Sequence, residues 1–380
     1  MYKNQYISSQ LFHNSSEIPS TIQDKNPGLI LCFYGADFDY TTLFHTLKKT
    51  GIPFLGCMDI ARLSNSEYHF ETNSVAVMTI SKEILEKVGI IAYDMRKTTS
   101  NHSMYQSSKD EYQRILKKLG FDLSSPDMER DFSINLLFGL QSANSVLSAQ
   151  NEVSLFQQTV GGSSGGKLDF VSSSVISSKG MGSIGATAVI RLKPEYYFLI
   201  DRASSFDPME GKLAVTKLAS PRYILELNNR PAAEEYARVI GKSTSDLGAA
   251  VYAMYTLGIE PGDGEKLITS IMKDDGNTGL LTYNDLLEGT HLNIYKAKLQ
   301  YQDRLAKLQT IDKEKLIGYI SFDCVLCYLA RDANKEIETI AALYETAFPG
   351  TPKIGFGTFS ENFCGANVNQ TETYLAILKR

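Results

Sequence analysis

The sequence predicts an α/β or α+β protein made of two consecutive mixed-sheet domains flanked by helices and packed face to face. Three observations carry this expectation. Short apolar runs such as GLILCFYGA (28–36) and LIGYISF (316–322) have the length of buried strands. Amphipathic stretches such as DYTTLFHTLKKTG (39–51) close on a glycine, as helices do. A chain of 380 residues is long enough to bury two sizeable cores.

After a polar lead over residues 1–25, GLILCFYGA and the helix behind it form a first β-α unit. PFLGCMDI reads as a second strand running into a tight turn that holds Gly56 and Cys57, and SVAVMTIS (74–81) as a third strand. SKDEYQRILKKLG (108–120) is a charged helix closed by Gly120, while SINLLFGLQSANSVLSAQ (133–150) reads equally as strand then helix or as helix throughout. A glycine turn at 161–166 enters the strand FVSSSVISS, and ATAVIRL (186–192) is another strand, which places the end of the first domain near residue 193.

The second domain spans 194–380. It opens with two strand-like runs and an Asn-Asn turn, then a helix started by Pro231 and closed by Gly241. STSDLGAAVYAMYTLG reads as a helix, EKLITSIMKDDGNTGLL and HLNIYKA as strands, and AKLQYQDRLAKLQTID as a charged helix. LIGYISF is a buried strand, NKEIETIAALYETAF an amphipathic helix, and PKIGFGTF and TETYLAIL are terminal strands. No repeat of 20 to 50 residues is visible, which excludes a solenoid.

Composition narrows the function. There are 38 basic and 43 acidic residues, a formal charge of −5. With no basic run to follow a phosphate backbone, nucleic acid is excluded as a partner. The apolar run near the start is too short to span a bilayer and the N-terminus is polar, so the expectation is a cytoplasmic protein with no membrane insertion. Five cysteines, Cys32, Cys57, Cys324, Cys327 and Cys364, sit in apolar segments and read as reduced thiols.

TVGGSSGGKLDF (159–170) matches the spacing of a phosphate loop at Gly161, Gly166 and Lys167. Leu168 stands where that loop needs a hydroxyl for Mg²⁺, and a strand follows where it needs a helix, so nucleotide binding is rejected. Gly161, Gly162, Ser163 and Ser164 instead suit close backbone approach to an anionic or zwitterionic ligand, or a plain connection into a strand. Asn369, Gln370 and Thr371 offer amide and hydroxyl groups for an amino-acid carboxylate or ammonium. Fixing the turn into the last strand is an equal reading, because alternation sends Gln370 to the face opposite Asn369 and Thr371.

Cys57 and Cys324 read as buried structural thiols, since none of the five histidines has a cysteine-protease context. Cys324-Val-Leu-Cys327, between a strand and a helix, has the order of a thiol redox site, so a thiol-dependent enzyme is an alternative. No second ligand pair accompanies it for zinc, and the acidic segment KDDGNTGLLTYND lacks calcium-loop spacing. Asp323 reads as a ligand-ammonium acceptor or a helix cap.

The order FLGCMDIA (54–61), VGGSSGG (160–166), ELNNRPAAEEYARVIG (226–241), ISFDCVLCYLA (320–330) and GFGTFSENFCGANVNQTETYLAIL (355–378) resembles the FIST (F-box and intracellular signal transduction) family, with its N-terminal and C-terminal parts. The resemblance implies a cytoplasmic sensory protein that binds a small ligand such as an amino acid. It also implies an output partner: a histidine kinase, a chemotaxis receptor or a cyclic-dinucleotide enzyme. One branch of the family is a haem-based nitric oxide sensor, which stands as a further alternative. This chain has Phe359-Ser360-Glu361 where many relatives have Tyr/Phe-Gly-Glu, Asn367 where many have His, and no Arg beside Cys327 where one is frequent. Those departures set the expectation of no cofactor, and the missing zinc and calcium spacings that of no metal. The expected ligand pocket gathers Gly56, Cys57, Gly161, Gly162, Ser163, Ser164, Asp323, Cys324, Asn369, Gln370 and Thr371 from both halves.

Overall fold

A computed structural model describes residues 2–380 except 23–25, 95–100, 139–142, 155–157, 168–171, 263–264, 277, 299–301 and 334. The protein is mixed α/β, and with 46% strand against 25% helix the sheets set its architecture. The chain divides into two units. Residues 1–202, 305–367 and 372–380 form the first, and residues 203–304 with 368–371 form the second.

The first unit passes three times through one order of elements. The first pass runs β1 (Tyr2–Lys3), β2 (Ile7–Phe12), α1 (Ile18–Ile22), β3 (Pro27–Gly35), α2 (Tyr40–Lys49), β4 (Phe54–Asp59), the hairpin β5 (Arg62–Ser64) and β6 (Glu67–His69), and β7 (Val75–Ser81). The second runs β8 (Leu85–Asp94), α3 (Asn101–Lys118), β9 (Asp131–Phe138), α4 (Ala143–Val153), β10 (Gln158–Ser164), the hairpin β11 (Val175–Ser177) and β12 (Gly180–Gly182), and β13 (Ile184–Leu192). The third opens with β14 (Tyr196–Ala203), after which the second unit intervenes.

That second unit holds β15 (Phe206–Ser220), β16 (Tyr223–Leu227), β17 (Arg230–Pro231), α5 (Ala232–Val239), α6 (Ala249–Met254), β18 (Tyr255–Gly262), β19 (Glu265–Thr269), β20 (Ile271–Asp274), β21 (Leu280–Thr282) and β22 (His291–Ala297). Its strands join in the order β19-β18-β22-β15-β16-β21-β20 over a core that includes Leu213, Ile224, Tyr236, Leu257 and Ile294. The helix expected over 243–258 is limited to α6, and the Tyr-Thr-Leu-Gly end of that stretch pairs as β18.

The third pass then resumes with α7 (Gln302–Gln309), β23 (Leu316–Cys324), α8 (Val325–Ala333), α9 (Ile337–Ala347), β24 (Lys353–Thr358), the hairpin β25 (Glu361–Phe363) and β26 (Ala366–Val368), and β27 (Glu372–Lys379).

Pairing follows one rule in all three passes. A strand–helix–strand crossover makes a parallel pair, β3 with β4, β9 with β10 and β23 with β24. The last strand returns antiparallel on the other side, β7 on β3, β13 on β9 and β27 on β23. The opening strand adds outside it, β2 on β7, β8 on β13 and β14 on β27. Each hairpin, however, leaves its own pass: β11 pairs β4, β25 pairs β10, and β5 pairs β24. This cyclic exchange ties the three sheets together.

Alternation along the central strands explains how the sheets share a core. Leu29, Leu31 and Phe33 of β3, Phe132, Ile134 and Leu136 of β9, and Ile320 and Phe322 of β23 belong to a single apolar cluster. The opposite face of β3, Ile30, Cys32 and Tyr34, packs against Leu43 and Leu47 of α2. That helix is capped by Asp39, whose carboxylate accepts from the Thr42 N–H at 3.0 Å, and it ends before Gly51 at φ +70°.

Two local readings of the sequence change here. Gly56 and Cys57 lie in the middle of β4 rather than in a turn, and Gly161–Ser164 are strand β10 rather than a loop. The polar lead also contributes β2, whose ISSQLF pattern was too polar to read as a strand. The ambiguous 133–150 stretch is strand then helix.

Candidate functional site

Crossover strands bring their carboxyl ends to the edge where ligand sites form in α/β sheets. In the first unit three such ends are linked by equivalent backbone hydrogen bonds: Met58 N–H to the Ser174 carbonyl at 2.9 Å, Ser163 N–H to the Ser360 carbonyl at 2.8 Å, and Gly357 N–H to the Ala61 carbonyl at 2.7 Å. Ser164 Oγ adds a side-chain link, 2.9 Å from the Met58 carbonyl oxygen.

Buried charges gather at these ends. Asp59 and Arg62 pair at 2.8 Å, and Arg62 Nη1 donates to the Glu71 carbonyl at 2.7 Å and to Ser74 Oγ at 2.6 Å. Burial pushes the Asp59 carboxyl above its ordinary pKa, opposed by the Arg62 guanidinium. Asp323, fully buried at the end of β23, pairs with Arg331 of α8. That guanidinium comes from further along the helix than the position beside Cys327. Thr358 Oγ1 lies 3.3 Å from the Asp323 carbonyl oxygen and bonds the Glu361 carboxylate.

The glycines serve close packing. A Cβ on Gly56 would lie 2.3 Å from both the carbonyl oxygen and Sγ of Cys32. One on Gly161 would lie 2.0 Å from the Asn135 carbonyl oxygen, and Gly161 also holds φ +149°. One on Gly162 would lie 2.3 Å from Thr358 Cγ2, so Gly162 faces a packed side chain. With these residues in a strand and Lys167 exposed, the phosphate-loop spacing has no cradle behind it; Leu168 lies outside the described residues.

Cys57 is fully buried in the shared core, where burial and the nearby Asp59 hold its thiol well above the usual range. Cys324 and Cys327 do stand in strand-then-helix order. Hydrogen bonding to Cys327, then burial and Glu361, hold the Cys324 thiol well above its usual pKa, which disfavours the nucleophilic thiolate.

Gly56, Cys57, Gly161–Ser164, Asp323 and Cys324 therefore all belong to the first unit, whereas Asn369, Gln370 and Thr371 belong to the second. There the amides tie backbone together. Ser270 N–H donates to Asn369 Oδ1 at 3.3 Å, Ser270 Oγ to Gln370 Oε1 at 2.8 Å, and Gln370 Nε2 to the Ala253 carbonyl at 3.0 Å. Gln370 holds φ +48°, so the run is a sharp bend fixed by its own side chains.

Two residues that the sequence did not single out, Asn144 and Asn362, join Ser360 and Asn367 in one hydrogen-bonded cluster. Asn367 Oδ1 accepts from Ser360 Oγ at 2.7 Å and from Asn362 Nδ2 at 2.9 Å, and Asn367 Nδ2 donates to Asn144 Oδ1 of α4 at 3.1 Å. Ser163 Oγ and Asn362 Oδ1, both in fully buried residues, have no hydrogen-bond partner among the described residues. No spacing signal joins residues 163 and 362, which the pairing of β25 with β10 brings together, or residue 144, which Asn367 ties to them.

Elsewhere, an open groove of about 670 Å³ runs between β6 and α9 past Glu67, Tyr68, His69, Ile337 and Glu345. Among the described residues no group of three His, Cys, Asp or Glu side chains is placed to hold a metal, and no helix is long and apolar enough to cross a membrane.

Residues 28–230 match the FIST N domain and residues 232–364 the FIST C domain. Two tandem sensory domains thus account for most of the sequence, and the chain belongs to the FIST family. FIST domains are associated with signal transduction and small-ligand sensing rather than catalysis. No curated protein matches the chain. Among solved structures, a cyanuric acid hydrolase from A. caulinodans aligns over 98% of this chain and 99% of its own at 7% identity and a TM-score of 0.38. T. maritima PurL, complexed with ATP, aligns over 98% and 71% at 9% identity and a TM-score of 0.20. At these scores neither bears on the activity of this chain.

Proposed function

We propose that this FIST protein senses a small polar metabolite of amino-acid size and passes its occupancy to a separate output protein, of the histidine kinase, chemotaxis receptor or cyclic-dinucleotide enzyme type. The observation that carries the reading is the pair of buried, partnerless polar atoms, Ser163 Oγ and Asn362 Oδ1, at the carboxyl end of β10. A buried acceptor or hydroxyl left alone costs about 1–3 kcal/mol, a penalty that a bound ligand removes. The strand ends at Met58–Asp59 and Asp323–Cys324 support this edge, with Asp59 paired to Arg62 and Asp323 to Arg331. The thiol-enzyme alternative is disfavoured by the raised thiol pKa values of Cys57, through burial, and of Cys324, through its hydrogen bond to Cys327 and then burial.

The test is thermal unfolding of the full chain with fractions of a small-molecule cell extract. One fraction should raise the midpoint in proportion to its concentration, as binding to the folded state requires. Midpoints unmoved by every fraction would contradict the reading.

A further inference from the structure

We infer that the ligand at the end of β10 is a small neutral molecule with amide-type N–H and C=O groups, a ureide, carboxamide or nucleobase, held by Ser163 and Asn362. This rests on the sensory reading above and narrows it. The three passes of the first unit differ in chemistry at one set of matching positions.

Strand register fixes the matches. Val175 lies opposite Cys57, Glu361 opposite Gly162, and Arg62 opposite Phe356. One residue further along each hairpin, Ile176, Asn362 and Leu63 are therefore equivalent. One residue further along each parallel strand, Met58, Ser163 and Gly357 are equivalent, as their shared backbone hydrogen bonds also require. In the first sheet Met58 and Ile176 pack into one apolar cluster. In the third, Leu63 is buried and the Tyr328 ring lies 3.2 Å from where a Gly357 Cβ would be. Two passes of three thus close this position with carbon. The fold does not need polar groups there, yet the second pass buries a hydroxyl and an amide oxygen to which nothing among the described residues is bonded.

The donors and acceptors left over define the ligand. Asn362 gives one Nδ2 proton to Asn367 while its Oδ1 stays open, and an open acceptor calls for an N–H on the ligand. Ser163 Oγ can both give and receive, which suits an N–H or C=O beside the first. Ser163, Asn362, Ser360, Asn367 and Asn144 are all neutral. A full charge buried among neutral groups is heavily penalised, so a carboxylate or ammonium is disfavoured. Two acids of these strands are committed elsewhere: Glu361, on the opposite face of β25 from Asn362, bonds Thr358, and Asp323 pairs with Arg331.

The experiment measures affinity, by calorimetry on the full chain, for neutral probes (uracil, hydantoin, nicotinamide) and charged ones (glycine, glutamate, lysine). The same protein, freshly purified, is denatured and any released compound identified. Wild type is compared with Ser163→Ala and Asn362→Asp. The expected result is a neutral probe, or a neutral released compound, whose affinity falls about tenfold or more in Ser163→Ala and is lost in Asn362→Asp. Ser163→Ala removes a partnerless hydroxyl, so its unliganded midpoint should equal or exceed that of wild type, which separates a binding role from a structural one. Binding only of charged compounds, or neutral binding indifferent to Ser163→Ala, overturns this inference while leaving the sensory reading intact. No binding by any probe and no released compound overturns both.

Discussion

Arg62 and Asp59 form an ion pair in which neither side chain touches solvent. Removing one partner strands a buried charge, so Arg62→Met should lower stability by about 3–5 kcal/mol, and the double change with Asp59→Asn should recover most of it. Because burial holds the Asp59 pKa above its ordinary 3.8, this carboxyl favours folding most below that value. The contribution is lost as pH rises through its folded pKa. Arg62→Met should widen this window. Urea unfolding between pH 4 and 8 checks both; a single variant as stable as wild type would refute the pair's role.

Gly162→Val should destabilise the first unit by about 1–3 kcal/mol, since its side chain meets Thr358 in a packed interior. Gly161→Ala should cost at least as much, adding positive φ to a backbone clash. Urea midpoints near wild type for both would show that β10 has room the packing denies.

In the second unit, hydrogen bonds from Arg238, at 2.7 and 2.8 Å, and from Asn228, at 2.9 Å, lower the Glu235 pKa from 4.5 to about 2. A depressed carboxyl pKa stabilises above the unfolded value and loses that effect as pH falls from about 4.5 to about 2. Glu235→Gln should therefore flatten the acid limb of a stability curve over that interval. An unchanged slope would count against the arrangement.

Native alkylation should label Cys364 first, the one exposed cysteine, with Cys327 slower and Cys32, Cys57 and Cys324 modified only on unfolding. Mass spectrometry of the labelled peptides decides it. Rapid modification of Cys324 at neutral pH would revive the thiol-enzyme alternative.

Much of the strand and helix content was legible because β3, β7, β13, β23 and β24 are short apolar runs, and α2 and α9 are amphipathic. The threefold order was not. Its passes share pairing rather than sequence, and 102 residues, 203–304, interrupt the third. Glycines misled for a physical reason: Gly56, Gly161 and Gly162 look like turn residues, but they sit in strands that other atoms approach too closely for a Cβ. Ser163 was legible as a candidate; Asn362 was not, since only the exchange of hairpins brings it beside β10.

The central claim, that this chain carries a small-molecule ligand, is tested most directly by weighing freshly purified protein under native and then denaturing conditions. The account predicts a native mass above the 42.2 kDa of the chain by one small molecule, lost on denaturation and reduced in occupancy by Ser163→Ala. Identical native and denatured masses, in protein whose unfolding midpoint no metabolite fraction moves, would contradict it.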